Sequence, residues 1–204
     1  MPINSRPSPI SIEKTAEVFS AYRTFLKCAG ISLKNLSIAD FGCAKGIFLQ
    51  ELIGKNTCHG FDISENSIDY CKLTCQDRNA HFNVLDLNGG HPKAGDEYDL
   101  ITLFDVIEHL NNFTHLKHII KHNLKKGGHA VITTPNANSL MRILGAAEIF
   151  SGEVDPTHTM LFTPYTLDFF LRRSGLKKTC MFTPYIFYFR NDLITRKLLL
   201  GGQI

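Results

Sequence analysis

The chain has 204 residues and a mass of 22.9 kDa, with 44% hydrophobic and 20% charged residues, the profile of one globular domain with a sizeable core rather than a disordered chain. No run approaches about 18 uncharged apolar residues, which excludes a spanning helix, and the opening MPINSRPSPI lacks the apolar core of a secretory signal, so a cytoplasmic protein is expected. The net charge of +3 is uneven: residues 1–171 hold 15 Lys/Arg against 18 Asp/Glu and residues 172–204 hold seven against one, so the body offers no broad basic face and no nucleic-acid partner is expected.

Residues 1–10 contain three prolines and read as an irregular lead-in. From Ser11 to Ala29 the apolar positions Ile12, Ala16, Phe19, Tyr22, Phe25 and Leu26 recur at helical spacing, with Gly30 as the stop. A regular alternation follows. Strands are predicted over 36–42, 57–63, 80–87, 98–106 and 128–136, and helices over 46–54, 65–76 and 113–124. Such alternation predicts an α/β fold with a mostly parallel sheet covered on both faces. Beyond it, residues 137–151 read as helical and 152–162 as a loop. A helix follows, capped by Thr163, opened by Pro164 and ended by Gly175. Two closing strands are predicted over 177–184 and 185–190, and residues 193–204 read as a tail of leucines and basic residues. One domain is expected over 1–204. Residues 1–30 form a helical lid, 137–165 an acceptor-side insertion and 193–204 the tail. Six cysteines without a C-x-x-C pair read as reduced thiols rather than a disulfide framework.

The chemistry gathers at the strand ends. Asp40-Phe41-Gly42-Cys43-Ala44-Lys45-Gly46 falls where the first strand hands over to a helix, and glycine there permits a tight turn and close approach of a ligand. The spacing is not the dinucleotide fingerprint G-x-G-x-x-G, which disfavours a nicotinamide dehydrogenase. Asp62 ends the second strand, 22 residues after Asp40, where a carboxylate can accept two hydrogen bonds from a ribose diol. Asp86 ends the third and can accept from an adenine amino group. Taken singly, each acid reads as a solvated strand end. Three at successive strand ends beside a glycine turn mark a nucleoside site.

The segments DFGCAKG, GFDIS, VLDLN, EYDLITLFDVIEHL and LKKGGHAVITTPN together resemble the class I methyltransferases that use S-adenosylmethionine, over roughly residues 36–176. DVIEHL followed by HTMLFTPYTLDFFLRRSGL is similar to the branch of ubiquinone-biosynthesis-type and other small-molecule O-methyltransferases. The family glycine motif reads D-x-G-x-G-x-G, and here Ala44 replaces the middle glycine. The resemblance implies a seven-stranded, Rossmann-like sheet of order 3-2-1-4-5-7-6 with strand 7 antiparallel. It implies backbone contacts from Gly42, Cys43 and Gly46 to the methionine half of the cofactor, with Asp40 at its amino group. Asp62 would take the ribose hydroxyls with Ile63 against adenine, Asp86 and Leu87 would bracket the adenine edge, and Phe104 and Asp105 would lie near the sulfonium.

Methyl transfer from an activated donor is mainly a positioning task, with a general base where the acceptor is a hydroxyl. Glu108 and His109, directly after the fourth strand, and His158, in the covering loop, are the candidate bases. Their bland readings are a turn carboxylate, a packed histidine and a loop residue. Asp105-x-x-Glu108-His109 with a later His158 also resembles the metal-ligand set of small-RNA 2′-O-methyltransferases, with aspartate one methylene shorter than that pattern's glutamate; the reading adopted assigns no metal. His115, His118 and His122, interleaved with Lys117 and Lys121, read as a solvated helix face. The predicted function is O-methylation of a small-molecule, glycan-like or lipid-linked acceptor. The alternatives are an RNA 2′-O-methyltransferase and a cofactor-binding, non-catalytic partner subunit. Arg196 and Lys197 beside Leu198–Leu200 predict a weak peripheral contact of the tail with an anionic membrane surface, weighed against packing onto the sheet or onto a second subunit.

Overall fold

The computed structural model describes Tyr22, Leu26 and residues 30–93, 95–138, 155–182 and 197–203. The chain divides into two compact units, residues 1–32 and 33–204. In the first, Tyr22 and Leu26 are helical, and Gly30 takes a left-handed φ of 75°. The rest of the helix expected over 11–29, the helix over 137–151 and the strand over 185–190 lie outside the described residues, wholly or but for one or two positions.

The second unit holds a seven-stranded sheet of order β3-β2-β1-β4-β5-β7-β6. Its strands are β1 (Ser37–Phe41), β2 (Thr57–Asp62), β3 (Ala80–Val84), β4 (Tyr98–Phe104), β5 (Leu124–Pro135), β6 (Lys177–Phe182) and β7 (Lys197–Gln203). The first five pair in parallel, and β7 runs antiparallel between β5 and β6. The helices are α1 (Ile47–Gln50), α2 (Glu65–Thr74), α3 (Thr114–Asn123) and α4 (Pro164–Arg173), with a short 3-10 turn over Ile107–His109. Burial explains the near-continuous apolar run of β4: Leu100, Ile101, Thr102 and Leu103 are all fully buried, as a central parallel strand requires. Ile101 and Leu103 share one core with Leu116, Ile119 and Ile120 of α3 and with Leu167 of α4.

Caps set the helix starts. Ser64 accepts from the Ser67 N–H at 3.3 Å, and Thr163 forms a reciprocal capping box with Thr166 ahead of Pro164. Gly175, at φ 89°, follows the end of α4.

Three expectations are corrected. The helix expected over 46–54 is only four residues long, because the chain tightens where the Leu52 N–H donates to the Leu49 carbonyl at 2.8 Å. The third strand stops at Val84, not Leu87. Asp86 turns the chain there: its Oδ1 accepts from the Asn88 N–H at 2.8 Å and its carbonyl from the Gly89 N–H at 3.1 Å. Residues 197–203 of the segment read as a tail form β7, hydrogen-bonded on both edges, with Leu198, Leu199 and Leu200 in register with Thr134, Thr133 and Ile132 of β5. Pairing on both edges agrees with the alternative of packing onto the sheet rather than with a free interfacial tail. No helix among the described residues is long and apolar enough to cross a membrane.

Candidate functional site

Parallel pairing brings the carboxyl ends of β1, β2 and β4 to one edge of the sheet, where α/β proteins of this kind bind ligands. At that edge the β1–α1 turn is held by backbone bonds: the Gly42 and Cys43 N–H groups both donate to the Phe61 carbonyl, at 2.7 and 3.0 Å, and the Gly46 N–H to the Cys43 carbonyl at 2.8 Å. Gly42, Ala44 and Gly46 all take left-handed backbone, at φ 76°, 47° and 68°. The glycines are required by protein, not only by a ligand. A Cβ on Gly42 would lie 2.3 Å from Val106 Cγ2, and one on Gly46 would lie 2.9 Å from Cys71 Sγ and 3.3 Å from Phe82.

Asp40 is 3% exposed, and its Oδ1 accepts from the Thr102 hydroxyl at 2.6 Å across the β1–β4 register. Burial raises its carboxyl from 3.8 to about 7, opposed by the Thr102 hydrogen bond and reinforced by the charge of Asp62. Asp62 joins two turns: Oδ2 accepts from the Ala44 N–H at 2.8 Å and Oδ1 from the Ser64 N–H at 2.9 Å. Each of its oxygens keeps a second lone pair for a diol. Ile63, directly after β2, is 65% exposed, an apolar side chain with open surface at the place assigned to adenine. Asp86 is exposed in its turn, whereas Leu87 is buried in the core. Cys43 is buried, and its thiol and that of Cys71 point to the same Ala44 carbonyl, at 3.8 and 3.3 Å. The Cys71 thiol and burial push the Cys43 thiol up.

At the end of β4, Phe104 packs edge-to-face on Phe48 with ring centroids 4.9 Å apart. Asp105 takes a left-handed φ of 55°, held by Thr133, whose carbonyl and hydroxyl accept from the Asp105 N–H at 3.1 and 3.0 Å. The same hydroxyl donates to Asp105 Oδ1 at 2.9 Å. The turn this conformation produces carries Glu108 and His109.

The loop over 155–162 is latched onto that turn. The Glu108 carbonyl accepts from the Thr159 and Met160 N–H groups at 2.8 and 3.2 Å, and the Thr159 hydroxyl reaches the Glu108 and Leu110 carbonyls at 3.1 and 3.0 Å. His109 and His158 thereby meet, with ring centroids 4.7 Å apart at 69°. Glu108, 1% exposed, completes a cluster in which each of the three residues offers a ligand atom within 4.8 Å of the others. The sequence names all three residues, but it does not reveal the residues that hold them. Thr157, which contacts His109, and Asp155, which holds the Thr157 hydroxyl, carry only the signature of a side-chain-stabilised turn, and Thr102 and Thr133 are visible only as polar positions in otherwise apolar strands.

This arrangement agrees with what the chain is similar to. A family model described as a methyltransferase domain matches residues 15–180. The chain is 27% identical over 154 residues to the ubiquinone biosynthesis O-methyltransferase of Hydrogenovibrio crunogenus, covering 71% of this chain and 64% of that protein's length, less than two thirds of it. Among solved structures, an S-adenosylmethionine-dependent methyltransferase from Mesorhizobium loti matches with a TM-score of 0.69 at 18% identity, over 90% of this chain and 98% of that one. Magnesium protoporphyrin IX methyltransferase from Synechocystis PCC 6803, solved with SAH bound, matches with a TM-score of 0.68 at 15% identity, over 97% and 89%. These two likenesses concern the fold. The chain belongs to the methyltransferase-domain family, within the class I S-adenosylmethionine-dependent group.

Proposed function

We propose that the protein transfers a methyl group from S-adenosylmethionine to a hydroxyl oxygen of a small-molecule, glycan-like or lipid-linked acceptor. The observation that carries the reading is the Glu108–His109–His158 cluster at the carboxyl edge of the sheet, beside the glycine turn. The similarity to a ubiquinone biosynthesis O-methyltransferase supports oxygen as the acceptor atom. S-adenosylmethionine, when bound, supplies an electrophilic methyl on a sulfonium, so the chain's own task is to align the acceptor and remove its proton. The β1–α1 turn presents backbone from Gly42, Cys43 and Gly46, Asp40 faces the ammonium, Asp62 takes the ribose hydroxyls, and Ile63 packs on the adenine. The exposed Ile63, the spare lone pairs of Asp62 and the buried Asp40 fit those roles. An imidazole of the cluster accepts the hydroxyl proton.

The cluster's donor set favours one second reading. Two imidazoles and a carboxylate with ligand atoms within 4.8 Å suit a divalent cation, which would lower the pKa of an acceptor hydroxyl at the same place. Transfer of labelled methyl from S-adenosylmethionine into a cell extract tests both. His109→Ala and His158→Ala are each expected to cut label transfer by about 10²-fold or more, with calorimetric affinity for the donor unchanged. Loss of transfer on chelation and its return with added divalent ion selects the cation reading. Label transfer that survives both substitutions overturns the cluster's role.

A further inference from the structure

The loop over 155–162 does more than cover the cluster. His109 Nδ1 lies 3.0 Å from the Thr157 hydroxyl oxygen and 3.4 Å from the Thr157 carbonyl oxygen. The hydroxyl is itself 2.6 Å from Asp155 Oδ1, which also accepts from the Thr157 N–H at 2.8 Å. A hydroxyl has one proton, and a carboxylate can only accept. The Thr157 proton therefore points at Asp155, and its oxygen faces His109 as an acceptor. Both groups that meet Nδ1 are acceptors, so Nδ1 carries the hydrogen.

We propose that Asp155 and Thr157 are positioning residues that hold His109 in its Nδ1–H form, leaving the Nε2 lone pair as the atom that meets the acceptor. This rests on the cluster's role in receiving the acceptor's proton, and within the cluster it assigns that role to His109. The logic is that of a carboxylate orienting a catalytic imidazole, with a threonine hydroxyl interposed. Free histidine side chains favour the Nε2–H form, which would turn a donor toward the substrate. The Asp155–Thr157 pair reverses that preference. Two hydrogen bonds from Thr157, the hydroxyl's first, hold Asp155 below the usual carboxylate range, and the nearby charges of His158 and His109 act in the same direction, so the acceptor end of the chain stays ionised. The same Nε2 lone pair serves if a cation occupies the cluster, since an imidazole ligand is oriented by what its other nitrogen contacts.

The ring's tautomer is read directly from the nitrogen shifts of His109 in 15N-labelled full-length protein, recorded at alkaline pH. No acceptor is needed. The expected result is the Nδ1–H form in the wild type, a shift of the population toward Nε2–H in Thr157→Val, and recovery of Nδ1–H in Thr157→Ser. Asp155→Ala frees the threonine proton to turn toward His109 and is expected to shift the population the same way, which keeps the test intact should Thr157→Val fail to fold. With an acceptor in hand, Thr157→Val lowers kcat about tenfold, with KM for S-adenosylmethionine unchanged. An Nε2–H ring in the wild type, or a tautomer indifferent to both substitutions, overturns the proposal. Unchanged turnover in His109→Ala instead removes the proton-accepting role and leaves the tautomer result standing.

Discussion

The two halves of the site are built differently. The donor side comes from successive strand–turn units: Asp40, Gly42 and Gly46 lie within seven residues, and Asp62 and Ser64 clamp the next turn. The acceptor side exists only because the loop over 155–162 returns to the turn after β4, so that Thr157 meets His109 across 48 residues of sequence. The first half is fixed by the sheet and by short-range backbone bonds. The second depends on a latch of exposed and half-buried hydrogen bonds, of the kind that opens at lower free-energy cost than a core. Damage to the donor side should therefore disturb the fold together with binding, whereas damage to the acceptor side should disturb chemistry alone.

Gly42→Val tests the first half of that contrast most severely. The added side chain meets Val106 at a Cβ distance of 2.3 Å and must adopt a φ of 76°. Overpacking and left-handed strain together predict a loss of about 3–5 kcal/mol in urea unfolding, with S-adenosylmethionine binding abolished in calorimetry. Adding Val106→Ala should recover part of the stability. A Gly42→Val protein of wild-type stability that merely fails to bind would show that the turn serves the ligand alone and would erase the contrast.

Asp40 sharpens it, because binding and stability pull in opposite directions there. A buried carboxyl at about 7 must ionise to face an ammonium group, so affinity for the donor should fall about tenfold per pH unit below 7, roughly 10²-fold by pH 5. The stability term has the other sign. The folded value lies above the unfolded 3.8, so the folded state binds more protons, and the contribution of Asp40 to stability is fully present below 3.8 and lost as pH rises through about 7. Asp40→Asn should accordingly stabilise the donor-free protein at pH 8 while weakening donor binding, as thermal unfolding and calorimetry at matched pH would show. A pH-independent affinity between 5 and 8 would detach Asp40 from the ammonium.

The same division explains what the sequence made legible. The alternation of apolar runs and turns located all five parallel strands and the caps at Thr163 and Gly175, because period and punctuation are local signals. Asp62 was legible as a strand-end acid for the same reason. Leu198–Leu200 were not legible as a strand. Their partners, Ile132–Thr134 on one side and Met181 and Phe182 on the other, fix them by long-range pairing, while the Arg196-Lys197 lead and the glycine pair after them imitate a free end. Asp86 was misplaced because its turn is made by its own side chain within an otherwise strand-like run. Glu108, His109 and His158 were named from their places after the fourth strand and in the covering loop, but the direction of the proton on His109 follows only from which groups surround Nδ1.

The smallest effect concerns Ala44, the position where this chain departs from its family's glycine motif. Ala44 sits at φ 47°, where a Cβ costs an L-residue about 1–2 kcal/mol. Its N–H holds Asp62 Oδ2 at 2.8 Å, and its carbonyl receives the Cys71 thiol at 3.3 Å. The turn's own bonds thus keep the alanine in a conformation it would otherwise leave. Ala44→Gly removes the steric cost but adds backbone freedom to the unfolded chain, which offsets part of the gain. The expected net is a stabilisation of about 0.5–1 kcal/mol, with donor affinity unchanged or slightly improved, since the hydrogen bonds at this residue are made by its backbone. Urea unfolding of the substituted protein decides the matter. A destabilised Ala44→Gly would mean that the alanine methyl packs within the turn, and the donor side would then owe part of its rigidity to a side chain that the family pattern replaces with hydrogen.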